Sequence, residues 1–172
     1  RQGGALPQRV VARMMADAAR GLQAAHELVD GEGVPLPVTH RDISPQNLFL
    51  CQDGRLLILD FGIARARGRI VNSLSGELLG KVAYMAPEQL LEEESSQLID
   101  LWAHSVVAWE CLTGRFLFDA SVEAQIMYKV LESEIPSPGH FAEVDPELCE
   151  IVLCGLERSP TERIQSAAEL AE

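Results

Sequence analysis

Apolar residues recur at Val11, Met14, Ala18, Leu22, Ala25 and Val29, in steps of three and four that put them on one face of a helix. Pro7 stands at the helix start, where proline is best tolerated. Gly31 and Gly33, then Pro35 and Pro37, predict its end and an extended passage after it. Arg13 and Asp17 lie one turn apart on the polar face, and His26 reads as a packed helix residue rather than a ligand. A different pattern follows. Leu48 to Cys51 and Leu56 to Leu59 are short apolar runs around Gln52-Asp53-Gly54-Arg55, and the Asp-Gly pair predicts a β-hairpin. Leu98 to Thr113 is apolar on nearly every side, which predicts a buried helix closed by Gly114, with Trp102 and Trp109 on one face. Three further helices are predicted: Ser121 to Glu132, with Ile126, Val130 and Leu131 inward; one from Asp145-Pro146 through Leu156; and one from Ser166 to Glu172. The expected class is mainly α with a small β-hairpin.

With 172 residues, 47% of them hydrophobic, the chain can form about one domain around a real core. Its 26 acidic against 14 basic residues give a net charge of −12, which argues against general binding to nucleic acid or anionic membranes. The longest apolar stretch, Leu98 to Leu112, is broken by Asp100, His104 and Glu110, so no membrane span is predicted. No signal peptide is recognisable, a cytoplasmic protein is expected, and a start at Arg1 suits a piece of a longer chain. Cys51, Cys111, Cys149 and Cys154 form no C-x-x-C pair and sit in apolar runs, which reads as reduced core thiols.

The chemistry concentrates in His40-Arg41-Asp42-Ile43-Ser44-Pro45-Gln46-Asn47, followed by the hairpin and then Asp60-Phe61-Gly62. A hairpin with equal arms returns the chain to its start, so Asp60 is predicted beside Asn47 and close to Asp42. Asn47 and Asp60 offer hard oxygen ligands to Mg²⁺ (or Mn²⁺), and Asp42 can take a hydroxyl proton.

These residues resemble the catalytic loop of protein kinases, H-R-D-x-x-x-x-N, followed by D-F-G, and Ala86-Pro87-Glu88 matches the A-P-E that ends the activation segment. The resemblance covers nearly the whole chain from Pro7. It implies a partial protein kinase domain over 1–172: the C-terminal lobe of the protein kinase-like fold with the N-terminal β-lobe absent, a catalytic loop at 40–47 and an activation segment at 60–88. By the same resemblance Asp42 is the catalytic base, Asn47 and Asp60 hold the metal of Mg·ATP, and Phe49 floors the adenine site. His40 packs under Phe61, Asp100 holds the backbone of the catalytic loop, and Glu88 pairs with Arg163. Ser73 and Ser75 are candidate phosphoacceptors. Glu77 falls where many kinases carry a phosphorylated threonine, and Arg41 is that phosphate's usual receiver, so a Glu77–Arg41 pair is expected to order the segment in part.

Two departures from the family pattern concern the reaction itself. Ser44 replaces the lysine usual two residues after the base, and Lys81 replaces the usual threonine or serine before Ala86-Pro87-Glu88. Amine and hydroxyl have exchanged places, and Lys81 is expected to supply the cation that position 44 lacks. His104 in a buried helix is a third departure, read as a hydrogen-bonded core histidine. Neither a G-x-G-x-x-G loop nor a V-A-I-K lysine is present. The expected function is ATP-dependent phosphorylation of serine or threonine on protein substrates, as part of a larger bacterial-type serine/threonine kinase whose N-terminal lobe lies outside this sequence. The fragment alone is expected to be inactive. The alternative is an inactive kinase remnant or pseudokinase that binds partners. A small-molecule phosphotransferase is disfavoured by Ala86-Pro87-Glu88 and Arg163, which suit a protein-substrate platform.

Overall fold

A computed structural model describes residues 4–61, 77–94 and 96–171, with the side chains of 77–79 outside that description. Helix α1 spans Gln8–His26. Strands β1 (Leu48–Leu50) and β2 (Leu56–Ile58) follow, then α2 (Glu77–Val82), α3 (Pro87–Leu90), α4 (Leu98–Thr113), α5 (Glu123–Glu132), α6 (Pro146–Gly155) and α7 (Ala167–Ala171). The architecture is a helical assembly around α4, which packs against α1 on one side and α6 on another, with α7 closing over α1. None of the described helices is long and apolar enough to cross a membrane.

Helix α4 is the centre because it has no polar face. Thirteen of its sixteen residues are buried, including Asp100, His104 and Ser105. Gly114 ends it in the left-handed region at φ 67°, and its N–H donates to the Glu110 carbonyl. Pro7 is the cap of α1 rather than its first residue: its carbonyl accepts from Val10 and Val11. The core side of α1 is Val11, Met15, Ala18, Ala19, Leu22 and His26. Val29 departs from the expected periodicity. The helix has ended, and Val29 instead bridges Pro35 in an exposed turn organised by the Asp30 carboxylate, which accepts from Glu32 and Val34 N–H.

The hairpin pairs Leu48 with Ile58, Phe49 with Leu57 and Leu50 with Leu56. Its turn is closed by Cys51 N–H to the Arg55 carbonyl and by Gly54 at φ 84°, a conformation glycine adopts without strain. Each strand is one residue shorter than the sequence pattern suggests. Helix α1 approaches the hairpin at Gly21, where an added Cβ would already touch Ile58 at 3.4 Å. Two further differences stand out. Helix α2 contains Gly80, which broke the apolar period and hid the element. Of the four thiols expected in the core, only Cys149 is buried, and Cys154 is exposed.

Helices α6 and α4 meet closely at Gly155. A Cβ on Gly155 would lie 1.9 Å from Ser105 Oγ and 2.8 Å from its Cβ. Gly155→Ala therefore forces the helices apart and costs about 1–3 kcal/mol, read as a lower urea midpoint. Ser105→Ala added to it recovers part of the loss, because the closer of the two clashes disappears.

Candidate active site

The stretch 40–47 has little regular structure, so it must be held from outside. Asp100, buried in the first turn of α4, does this with both oxygens. Oδ2 accepts from the His40 N–H at 2.8 Å and from His26 Nε2 at 2.9 Å, and Oδ1 accepts from the Arg41 N–H at 2.8 Å. Arg41 sits at φ 66° and Asp60 at φ 55°, a region that disfavours side chains. Such strain, of about 1–3 kcal/mol per residue, persists because neighbouring bonds determine the backbone.

His40 links the loop to the end of the hairpin. It is fully buried, its Nε2 donates to the Leu59 carbonyl at 2.9 Å, and its Nδ1 accepts from the Asp42 N–H at 3.2 Å. The two bonds together fix one tautomer, with the hydrogen on Nε2. Its ring packs on Phe61 with centroids 4.7 Å apart. The Leu59 N–H donates to the Asn47 carbonyl at 2.8 Å, so Asp60 follows directly beside Asn47. Asn47 Nδ2 donates to the Asp42 carbonyl at 2.7 Å and to Asp42 Oδ2 at 3.2 Å. Asn47 therefore keeps Oδ1 as its atom for a cation, and Asp60 is exposed. An amide oxygen and an exposed carboxylate are hard donors that suit Mg²⁺.

Lys81 Nζ lies 2.7 Å from Asp42 Oδ2. Ser44 is buried, and its hydroxyl has no hydrogen-bond partner among the described residues. Phe49 is 54% exposed, so its ring is open to stacking and is not a core residue. Ser73 and Ser75 lie outside the described residues, and the Glu77 side chain does too, so the Glu77–Arg41 pair stays an expectation.

Glu88 and Arg163 form a buried, two-pronged pair, Nη1 to Oε1 at 2.8 Å and Nη2 to Oε2 at 3.0 Å. Arg163 also donates to the carbonyls of Leu98, Glu157 and Arg158 and lies over the Trp102 ring at 5.2 Å. Sequence reasoning missed three polar anchors. His26 is the third donor to Asp100. Tyr84 Oη donates to Glu110 Oε2 at 2.8 Å. Arg158 donates to the carbonyls of Lys129, Val130 and Ser133 and so caps α5. Arginine near a helix C-terminus is a general signal, but Arg158 is remote in sequence from that end.

A family profile for the protein kinase domain matches residues 1–172. The chain belongs to the protein kinase family. Among its relatives, the tyrosine-protein kinase MasK of Myxococcus xanthus (strain DK1622) is 39% identical over 168 residues, covering 97% of this chain. The probable serine/threonine-protein kinase pknA2 of Bifidobacterium longum (strain NCC 2705) is 30% identical over 98% of the chain. The serine/threonine-protein kinase PknL of Mycobacterium tuberculosis is 29% identical over 95%. The chain spans 26%, 22% and 39% of those relatives' own lengths.

Two outcomes follow for stability. Removing one side of a buried ion pair strands the other, so Glu88→Ala should cost about 3–5 kcal/mol. Glu88→Gln with Arg163→Met should cost less than the two single changes summed, as a double-mutant cycle in urea would measure. His104 donates from Nε2 to the Met15 carbonyl at 2.9 Å, and burial holds its pKa below the ordinary 6.5. The unfolded chain thus binds this proton more readily. The contribution of a neutral His104 is complete above about pH 6.5 and is lost as the pH falls from there towards the lowered native value. Burial raises Glu110, which acts oppositely: its native state is favoured by acid and loses that advantage as the pH rises from about 4.5 through the raised value. His104→Leu should flatten the fall in urea midpoint between pH 7.5 and 5.5, while Glu110→Gln should steepen it.

Proposed function

We propose that this chain is the part of a larger protein kinase that carries the catalytic loop, and that it transfers the γ-phosphoryl group of ATP to a serine or threonine hydroxyl of a protein substrate. The observation that carries the reading is the coupling of Asp42 and Asn47, with Asp60 delivered beside them by the Leu59–Asn47 bond. Asp42 accepts the proton of the attacking hydroxyl. The new O–P bond forms as the bond from the γ-phosphorus to the bridging oxygen breaks, and that electron pair departs on ADP. Asn47 and Asp60 would hold Mg²⁺, which supplies charge neutralisation on the phosphates. Phe49 offers an apolar face to the adenine. Glu88 and Arg163 hold the segment that would receive the protein substrate.

A tyrosine hydroxyl is the second reading, favoured by the relative named a tyrosine kinase, which is 39% identical. Ser44 is consistent with either, because it lacks the lysine usual in serine/threonine kinases.

The test uses the full-length protein, Mg·ATP and a mixed protein substrate. Asp42→Asn should lower phosphotransfer by about 10²–10⁴-fold without lowering the melting temperature. Asp60→Asn should abolish the thermal shift produced by Mg·ATP. Identifying the phosphorylated amino acid decides between the two readings. A wild-type protein that binds no Mg·ATP and transfers no phosphate would reject both in favour of a binding module.

A further inference from the structure

We infer that Lys81 supplies the cation that stabilises the transferring phosphoryl group, so that α2 of the activation segment, and not the catalytic loop, brings this charge to the site. The inference rests on the kinase reading above and specifies how that site is completed.

Four observations converge. First, Lys81 Nζ is already in the site, 2.7 Å from Asp42 Oδ2. Second, the catalytic loop has no lysine or arginine after Arg41: Asp42 to Asn47 reads Asp-Ile-Ser-Pro-Gln-Asn. The chain has only two lysines, and Lys129 is engaged with the Asp119 carbonyl. Third, Ser44 and Lys81 line the same void of about 10 Å³, together with Asp42, Tyr84 and Asp100. A space that size holds about one water, so only one of the two positions can carry a long side chain. Fourth, the backbone that carries Lys81 is pinned. Tyr84 Oη donates to Glu110 Oε2, Glu110 Oε1 accepts from the Leu117 N–H, and the Tyr84 N–H donates to the Lys81 carbonyl at 3.1 Å.

The consequence is a change in dependence. A lysine at position 44 would ride on a loop fixed by Asp100 and would be present whenever the core is folded. A lysine at 81 is present only when α2 is docked. In this chain any displacement of α2 from the catalytic loop also removes positive charge from the reaction, so phosphotransfer is slow until the segment is seated.

A six-variant series in the full-length protein tests this, with phosphotransfer and melting temperature measured for each. Removing one preorganised charge-stabilising donor costs about 10²–10³-fold in kcat. Lys81→Ala should therefore fall by about that factor, mainly in kcat, with the melting temperature kept. Ser44→Lys alone should also be poor, because two long cationic side chains then compete for one small void. Lys81→Ala with Ser44→Lys should regain at least tenfold over Lys81→Ala. Tyr84→Phe, which frees Glu110 and loosens α2 without touching Lys81, should lower wild-type kcat but leave that double variant unchanged. If Lys81→Ala keeps wild-type kcat while Asp42→Asn is dead, the inference is overturned and the kinase reading stands. A double variant no better than Lys81→Ala also overturns it. If the wild type and Asp42→Asn are equally inactive, the kinase reading fails and the inference with it.

Discussion

One buried carboxylate fixes the geometry of the site. Asp100 gathers donors from two separate parts of the chain, the end of α1 and the start of the catalytic loop, onto two oxygens. The His26 and His40 donors are buried, so each would be costly to leave unpaired. The loop can then hold Arg41 in a left-handed conformation that it would not keep alone. From that point a continuous path of short bonds runs through His40, Leu59 and Asn47 to the three groups proposed to act on the phosphate.

A second set of polar contacts fixes the helices rather than the loop. Arg163 spends all its donors on Glu88 and three carbonyls, and Arg158 closes the end of α5. Burial pushes the Tyr84 hydroxyl and the Glu110 carboxyl up from their ordinary pKa values, a sign that both have left water to meet each other. These contacts share one property: each joins an irregular stretch to a helix. The apolar core sets which helices pack together, and the buried polar groups set where the segments between them lie.

The site was legible wherever its logic is local. The spacing from Asn47 to Asp60 follows from strand period and turn chemistry, and the hairpin register agrees with it. Buried helix α4 was legible because an all-round apolar run has few other outcomes. The misses have physical causes. Val29 kept the helical spacing, but the backbone had already turned into the Asp30 motif, and periodicity does not report where hydrogen bonds stop. Helix α2 was hidden by Gly80, since tertiary contacts outweighed its low helix propensity. Cys154 looked buried because its neighbours are apolar, yet it falls on the outer face of α6. The partnership of His26 with Asp100 spans 74 residues, and no short-range pattern carries such a pairing.

The Glu88–Arg163 pair has a consequence for how the molecule is made. The partners are 75 residues apart. At a synthesis rate of about 5–20 residues per second, Glu88 waits roughly 4–15 s before Arg163 exists. Through that interval the carboxylate lacks the partner it is buried against. The surface proposed to meet protein substrates is thus finished only when a residue 75 positions downstream arrives. A nascent kinase of this type cannot present that surface before Arg163 has been made.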